Sequence, residues 1–259
     1  MGSFLTGRSS WRQALDYSRY DLTFPEWCKY FAFALGTEAL LSYIFYKSFF
    51  LFLIFIPLCA VFPFFKKKDL LVTRKRTLTL EFKEAILILS SLLSAGYSLE
   101  NALKEAVNEL KLLYQKNSLI IRELEYINHL IFMNISVEKA FDDLAKRSGV
   151  EDIKGFARVL RIAKRSGGEL EEIISHSAAV IGDKVRIKEE ILTLTAAKRF
   201  EQKVMNAFPI LIVLYIDLSS PGFFTAMYTT WIGRIFMTVC MGAYLFAIYI
   251  SRKLLRVEV

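Results

Sequence analysis

The 259-residue chain is poor in the residues that most metal and redox sites require. It has two histidines, His129 and His176, and neither is followed by a second ligand three or four positions further along the chain, as a metal site on one helix would need. Its three cysteines, Cys28, Cys59 and Cys240, lie in or beside apolar stretches and form no CxxC pair. The sequence therefore predicts buried or lipid-facing thiols and no metal site.

Patterns typical of nucleotide binding and acid–base catalysis are also missing. The stretch RSGGELEEI at 165–173 has the glycines of a phosphate-binding loop, but no Lys followed by Ser or Thr. Asp142 and Asp143 are adjacent, so on a helix their side chains point about 100° apart and cannot act as a two-carboxylate pair. No Ser/His/Asp set and no HExxH motif is present. We expect no enzymatic activity and no cofactor.

Charge is scarce in two long stretches, 30–65 and 204–251, and abundant between them. Residues 66–203 contain 25 Lys and Arg and 20 Asp and Glu. Such segregation predicts one water-soluble domain between membrane segments. In the second stretch, Trp231 to Ile250 is long enough to cross a bilayer of about 30 Å. It follows the shorter apolar run 204–218 through SSPGFFTAMYTT, which lacks Lys and Arg, so a transmembrane hairpin is expected.

The first stretch, 30–65, is interrupted only by Glu38 and Lys47. It fits two spans of about 17 residues that turn near Lys47–Ser48. The alternative is one span, 48–65, with 30–46 in the membrane interface. Glu38 would lie near mid-span, where a charge is costly. Either it contacts a partner inside the bilayer, or 30–46 is shallow and Glu38 reaches water.

Two further intramembrane charges, Asp217 and Arg234, lie near the predicted outer interface. They fit either an ion pair across the hairpin or separate snorkelling to water.

Lys and Arg placement predicts the orientation, because basic residues favour the cytoplasmic side. Six basic residues occur in eleven positions after the first hairpin: Lys66, Lys67, Lys68, Arg74, Lys75 and Arg76. With four spans, both termini and 66–203 are cytoplasmic. The basic run either sets this topology beside anionic lipid heads or docks an acidic partner. Nucleic acid is not expected, since no aromatic residue interleaves the run. The predicted segments are 1–29, 30–65, 66–203, 204–251 and a tail at 252–259.

The soluble part is predicted to be a helical bundle, which makes the chain an all-α polytopic membrane protein. Residues 78–203 contain no proline, and apolar residues recur at helical spacing. Helix starts are expected after the caps Ser98, Ser118 and Ser136, and a left-handed stop at Gly149. Another helix should cover about 151–165. A long helix from 169 to 217, with Pro209 as a candidate kink, should join the bundle to the third span.

One sequence pattern occurs twice at an offset of 38 residues. The first copy includes SAGYSLENALKEA at 94–106, and the second includes ISVEKAFDDLAKR at 135–147. At this offset Ser98 aligns with Ser136. Each copy has a turn, a serine cap, an acid and an apolar stripe. A looser third copy starts at Gly168. Either duplication or convergent capping explains the repeat.

In order and spacing, these patterns resemble the F-domain of type II secretion systems, over about 80–250. The resemblance rests on the following positions: Gly96, Ser98, Leu99, Ala102 and Leu103; Ser136, Val137, Ala140, Phe141 and Leu144; Gly167, Gly168 and Leu170; and Pro209. Two departures are Asn134–Ile135, where the family often has Gly, and residues 1–29, which match no part of it. With one domain copy between two hairpins, the chain looks like the single-copy, TadB/TadC-like branch of tight-adherence (Flp-type) pilus systems.

The resemblance implies an inner-membrane platform. It would sit over a hexameric cytoplasmic secretion ATPase and lift pilin subunits into a filament, together with a paralogous platform subunit, as a homo- or hetero-oligomer. Two other classes stay open: a transporter or channel subunit, and a membrane signalling adaptor.

Overall fold

The computed structural model describes residues 17, 23–47, 56, 59, 62–114, 118–166 and 170–254. Within these ranges every regular element is an α-helix. The helices are α1 (Phe24–Tyr46), α2 (Phe62–Ser94), α3 (Leu99–Leu113), α4 (Leu119–Phe132), α5 (Val137–Ser148), α6 (Glu151–Ser166), α7 (Leu170–Ser219), α8 (Thr225–Thr229) and α9 (Trp231–Leu254).

The chain divides into two compact units. The first, here called the helical domain, comprises Met1–Asp21 and Lys68–Ile187. The second, here called the apolar unit, comprises Leu22–Lys67 and Lys188–Val259. The chain enters the helical domain at Lys68, inside α2, and leaves it after Ile187, inside α7. Both of these boundaries lie inside helices and not in loops.

The core of the helical domain joins α2, α5 and α6 through three aromatic rings. Phe156 of α6 meets Phe82 at a centroid distance of 5.6 Å and Phe141 at 5.2 Å, both edge to face. Such pairs are worth about 0.5–1.5 kcal/mol beyond their buried area. Around them lie the predicted apolar stripes of α3 and α5, which are buried except for Leu113 at the end of α3, which is exposed.

The long helix α7 is built from two contrasting parts. In the helical domain it buries one stripe at spacings of three and four residues, formed by Ile174, Ala178, Ile181 and Val185. From Arg186 to Ser219 no residue is buried, although Pro209 and the apolar run lie there. The predicted helix from 169 to 217 is therefore one continuous element over Leu170–Ser219.

The C-terminal part of the apolar unit is a pair of antiparallel helices. The amide of Gln202 on α7 donates to Ser251 Oγ on α9 at 2.6 Å, and Tyr244 OH donates to the Asn206 carbonyl at 2.6 Å. Two helices have the length and composition to cross a membrane, Glu171–Ser219 and Trp231–Ser251. Among the described residues α1 is not a further candidate, and most of the predicted span 48–65 lies outside them.

The helix of the first apolar stretch begins earlier than the hydrophobic run suggested. The run starts at Tyr30, but α1 starts at Phe24. The reason is local: the Thr23 N–H donates to Glu26 Oε2 at 3.1 Å, and Pro25 occupies the first turn, where a missing N–H costs nothing. At its other end Lys47 adopts the left-handed conformation with φ 43°, so the helix stops where the turn was predicted.

Candidate functional site

The two helix junctions predicted from the repeated sequence have the same backbone geometry. Each closes with two hydrogen bonds, one between residues five positions apart (6→1) and one between residues three positions apart (5→2), as in a Schellman motif. Every donor and acceptor of the first junction has its counterpart 38 residues later in the second. The bonds are Tyr97 N–H to Leu92 O (3.1 Å) and Gly96 N–H to Leu93 O (2.9 Å), then Ile135 N–H to Leu130 O (3.0 Å) and Asn134 N–H to Ile131 O (2.9 Å). The α2–α3 and α4–α5 junctions thus share one turn geometry.

Asn134 takes the glycine position of the second copy. Gly96 has φ 89° and Asn134 has φ 63°. Asparagine tolerates this left-handed region better than most other side chains. The departure at Asn134–Ile135 therefore keeps the turn that the glycine provides in the first copy.

The motif residues that follow each turn are packing positions. The correspondence continues along α3 and α5, and every member is buried. The pairs are Leu99 and Val137, Ala102 and Ala140, Leu103 and Phe141, and Ala106 and Leu144. These residues shape a core, and they present no group to a ligand.

The serine caps lie where the sequence placed them, but only one accepts the expected hydrogen bond. Ser118 Oγ accepts from the Ile121 N–H at 3.4 Å, whereas the Ser98 and Ser136 side chains make no cap bond. The start of α4 has a second acceptor, because Glu81 of α2 accepts the Ile120 N–H at 2.9 Å. This buried carboxylate holds α2 against α4.

The largest departure from an apolar core is an ion pair between α4 and α5. Glu123 is only 2% exposed, and the Arg147 guanidinium donates to both of its oxygens, at 3.1 and 2.7 Å. Burial opposes the charged form of Arg147, but hydrogen bonds to Glu123 and Asp143 outweigh it, so the pKa of the guanidinium is raised. The Arg147 guanidinium therefore keeps its charge.

A third group joins this pair from far away in the chain. Tyr17 is completely buried, and its hydroxyl donates to Glu123 Oε1 at 2.9 Å. Burial, followed by the charge of Glu123, raises the pKa of the Tyr17 phenol above its ordinary range. The phenol therefore remains a donor. No sequence pattern around Tyr17 predicts this contact.

The basic run lies on α2, and part of it serves the helical domain itself. The guanidinium of Arg74 lies 5.1 Å from the centre of the Tyr17 ring. Lys75 Nζ lies next to Gly149, the left-handed cap of α5, where a cation complements the helix dipole. Lys68 and Arg76 are exposed, and Lys66 and Lys67 are half-buried. Arg74 and Lys75 thus have partners within the helical domain.

Asp217 and Arg234 of the apolar unit have other partners than the ion pair or the separate contacts with water that were predicted for them. Asp217 at the end of α7 accepts from Lys47 Nζ at 2.5 Å and from Tyr43 OH at 3.4 Å. Arg234 instead donates from Nε to the Tyr228 carbonyl at 3.1 Å. Asp217 is therefore paired with α1 and not across the C-terminal hairpin.

Glu38 lies on the packed side of α1. Its Oε2 accepts the Cys59 thiol at 2.8 Å, while Oε1 is buried and has no hydrogen-bond partner among the described residues. The carboxyl is thus only half satisfied within this part of the chain.

The remaining predicted site positions are only partly described. Leu170 opens α7 and Pro209 lies within it, while Gly167 and Gly168 fall outside the described residues. Of the third copy of the repeat, only Gly168 and Glu169 therefore lie outside them. Within the described ranges, no group of three or more His, Cys, Asp and Glu side chains could hold a metal ion.

Comparison with protein families gives a match over the middle and C-terminal parts of the chain. A family described as "Type II secretion system (T2SS), protein F" matches residues 85–218, which is just over half of the chain. The match contains both repeated hairpins from the middle of α2 onward and nearly all of α7. Comparison with curated proteins and with solved structures gives no match.

Proposed function

Because the chain belongs to the type II secretion system protein F family, we propose that it is an inner-membrane platform protein of a type II secretion-like or tight-adherence (Flp-type) pilus machine. In this proposal it couples a hexameric cytoplasmic ATPase to the extraction of pilin subunits from the bilayer and to filament assembly. Its other partners are a paralogous platform subunit, further copies of itself and membrane lipids. The platform itself performs no catalysis.

The observation that carries the proposal is the continuity of α7. Its first turns pack into the core of the helical domain, and its last turns are apolar enough to cross a membrane. A helix of 50 residues is about 75 Å long. Motor-driven displacement of the helical domain requires a stiff element to reach the membrane, and α7 supplies one.

The topology we propose has four spans, with both termini and residues 66–203 in the cytoplasm. The basic clusters support it, because the N-terminal segment, the run at 66–76 and the C-terminal tail then face the same side. We assign the basic run at 66–76, in which Lys68 and Arg76 are exposed, to the neighbourhood of anionic lipid heads.

Inside the bilayer we assign Glu38 a contact with a partner segment. The half-satisfied carboxyl supports this assignment, since a donor from a partner would complete its hydrogen bonding. A Glu38→Gln variant with normal filament output would remove this part of the proposal.

Coupling through α7 is tested by breaking the helix. Gly-Pro-Gly inserted after Ala196, which lies in an exposed part of α7, should abolish filament assembly without preventing membrane insertion. The matched control is Ala-Ala-Ala at the same place, because it adds the same length and keeps the helix continuous. Filament output from the Gly-Pro-Gly variant equal to that of the control would refute transmission through this helix.

Orientation is tested by labelling. Lys154→Cys, on the exposed side of α6, should react with a membrane-impermeant maleimide only after cells are opened, in a chain whose own cysteines are replaced. Reaction in intact cells would contradict the cytoplasmic placement. Purification with a signalling enzyme instead of a secretion ATPase would favour the adaptor alternative.

A further inference from the structure

Tyr17 is held by three different helices of the helical domain. Its hydroxyl donates to Glu123 of α4, its backbone N–H donates to the Arg147 carbonyl of α5 at 3.4 Å, and its ring lies under Arg74 of α2. Each contact addresses a different part of a tyrosine: the phenol oxygen, the main chain and the ring face. We refer to Arg74, Glu123 and Arg147 as the tyrosine socket.

The internal repeat shows what the hairpin fold requires at these positions. At the offset of 38, Glu123 corresponds to Ala85 and Arg147 corresponds to Glu109. Ala85 is buried in the core of the first hairpin, which packs without an ion pair at that place. A carboxylate in such a site is costly unless it is fully paired. The acid and base of the second hairpin are therefore not demanded by the turn and the buried positions that the two hairpins share.

The socket also lies partly outside the family region. The family match starts at residue 85, so it includes neither Tyr17 nor Arg74. Glu123 and Arg147 lie within the matched region, and Tyr17 and Arg74 lie outside it. Tyr17 contacts both Glu123 and Arg74.

We propose that the tyrosine socket is a dedicated binding site for the N-terminal segment of this chain, entered by Tyr17, and that this segment is a working part of the helical domain. The ligand class is a peptide with a tyrosine. The Arg147-fixed carboxylate selects the hydroxyl, and Arg74 favours an aromatic ring. Thr23, the cap of α1, follows Tyr17 by six positions, so the site holds the chain immediately before its first long helix. The proposal does not depend on the partners or cargo of the platform.

Hydrogen–deuterium exchange of the full chain in detergent micelles tests the site. The variant Glu123→Ala with Arg147→Glu gives the second hairpin the residues of the first. We expect the peptide containing Tyr17 to exchange about tenfold faster, as loss of a charged hydrogen bond allows, with α3 unchanged. The control is Lys146→Ala, which breaks the exposed pair with Asp142 outside the socket and should alter neither region.

Two results of this experiment would overturn the proposal. Unchanged exchange in the Tyr17 peptide would show that the socket does not hold it. An equal rise in α3 and in the Tyr17 peptide would show that the ion pair only stabilises the domain as a whole.

A peptide-binding measurement on a variant that keeps Arg74, Glu123 and Arg147 tests the site without altering it. A fluorescent peptide of residues 10–22 should bind the Tyr17→Ala chain, whose socket is empty, at least tenfold more tightly than the wild-type chain. The same peptide with Tyr17→Phe should bind about tenfold more weakly, because only the hydroxyl is lost. Equal binding to the two chains, or indifference to the hydroxyl, would refute a tyrosine-specific site.

Discussion

Replacing Arg147 by alanine should lower the free energy of unfolding by about 3 to 5 kcal/mol, the range found when one partner of a buried ion pair is removed. The structure supports the upper half of that range. Both guanidinium bonds to Glu123 are lost, and the carboxylate is left 2% exposed with the Tyr17 hydroxyl as its remaining side-chain donor at 2.9 Å. The lost contact with Asp143 adds little, because that carboxylate is 45% exposed.

The decisive comparison is a variant in which both charges are replaced. Glu123→Leu with Arg147→Leu removes the whole pair and leaves no buried charge, so its cost should be limited to about 1–3 kcal/mol for the buried Tyr17 hydroxyl, which loses its acceptor. Alanine at position 147 should therefore be the more harmful change, although it alters one residue instead of two.

Thermal unfolding of the full chain in micelles, followed by far-ultraviolet circular dichroism, measures this difference. At about 2–4 °C per kcal/mol for a chain of this size, the single variant should unfold roughly 6–20 °C lower than the wild type. A shift below about 2 °C, or a double variant as unstable as the single one, would show that burial of Glu123 does not have the energetic cost assumed here.

Three other measurements test separate features of the chain. Gly233→Ala should destabilise the α8–α9 junction, because a Cβ there would lie 2.5 Å from the Met227 carbonyl oxygen, whereas Gly242→Ala meets no atom within 4 Å; equal midpoints in thermal unfolding would contradict this. Asn134→Ala should cost about 1 kcal/mol because φ is 63°, while Asn134→Gly should not, and denaturation midpoints distinguish them. The raised pKa of Tyr17 contributes stability that is present below the ordinary value of 10.0 and is lost as pH rises through and above it. Tyr17→Phe should therefore reduce the alkaline fall in the unfolding midpoint, and an unchanged pH profile would contradict the assignment.

Sequence alone predicted the helices of the helical domain because their ends depend on neighbours a few positions away. Ser118 and Ser136 precede α4 and α5, and Gly149 ends α5 with φ 62°. The apolar stripes that follow the caps became the core, since helical spacing decides which side chains share a face. The same logic placed the long helix through 170–219.

Contacts between distant segments were beyond such reasoning. Tyr17 and Glu123 are 106 positions apart, and in sequence Glu123 is one more acid in a charged helix. The sequence nevertheless contains an indication of this contact. When the two repeats are aligned, Glu123 takes the position that the apolar Ala85 has in the first copy. An acid at a core position of a repeated hairpin indicates a buried polar partner, because an unpaired carboxylate would be expelled or neutralised.

The pairing of Asp217 shows the same limit in the apolar unit. Arg234 is 17 positions away and Lys47 is 170 positions away, so a local hairpin favours the first partner. The end of α1 decides otherwise. Tyr228 OH donates to the Ile44 carbonyl at 2.6 Å, which holds α1 against the segment after α7 and leaves the Lys47 ammonium within 2.5 Å of the carboxylate. Arg234 then satisfies the Tyr228 carbonyl. Exchanging the charges at Lys47 and Asp217 together should preserve the α1–α7 contact that either single reversal removes, and cysteine cross-linking of the two helix ends would measure it.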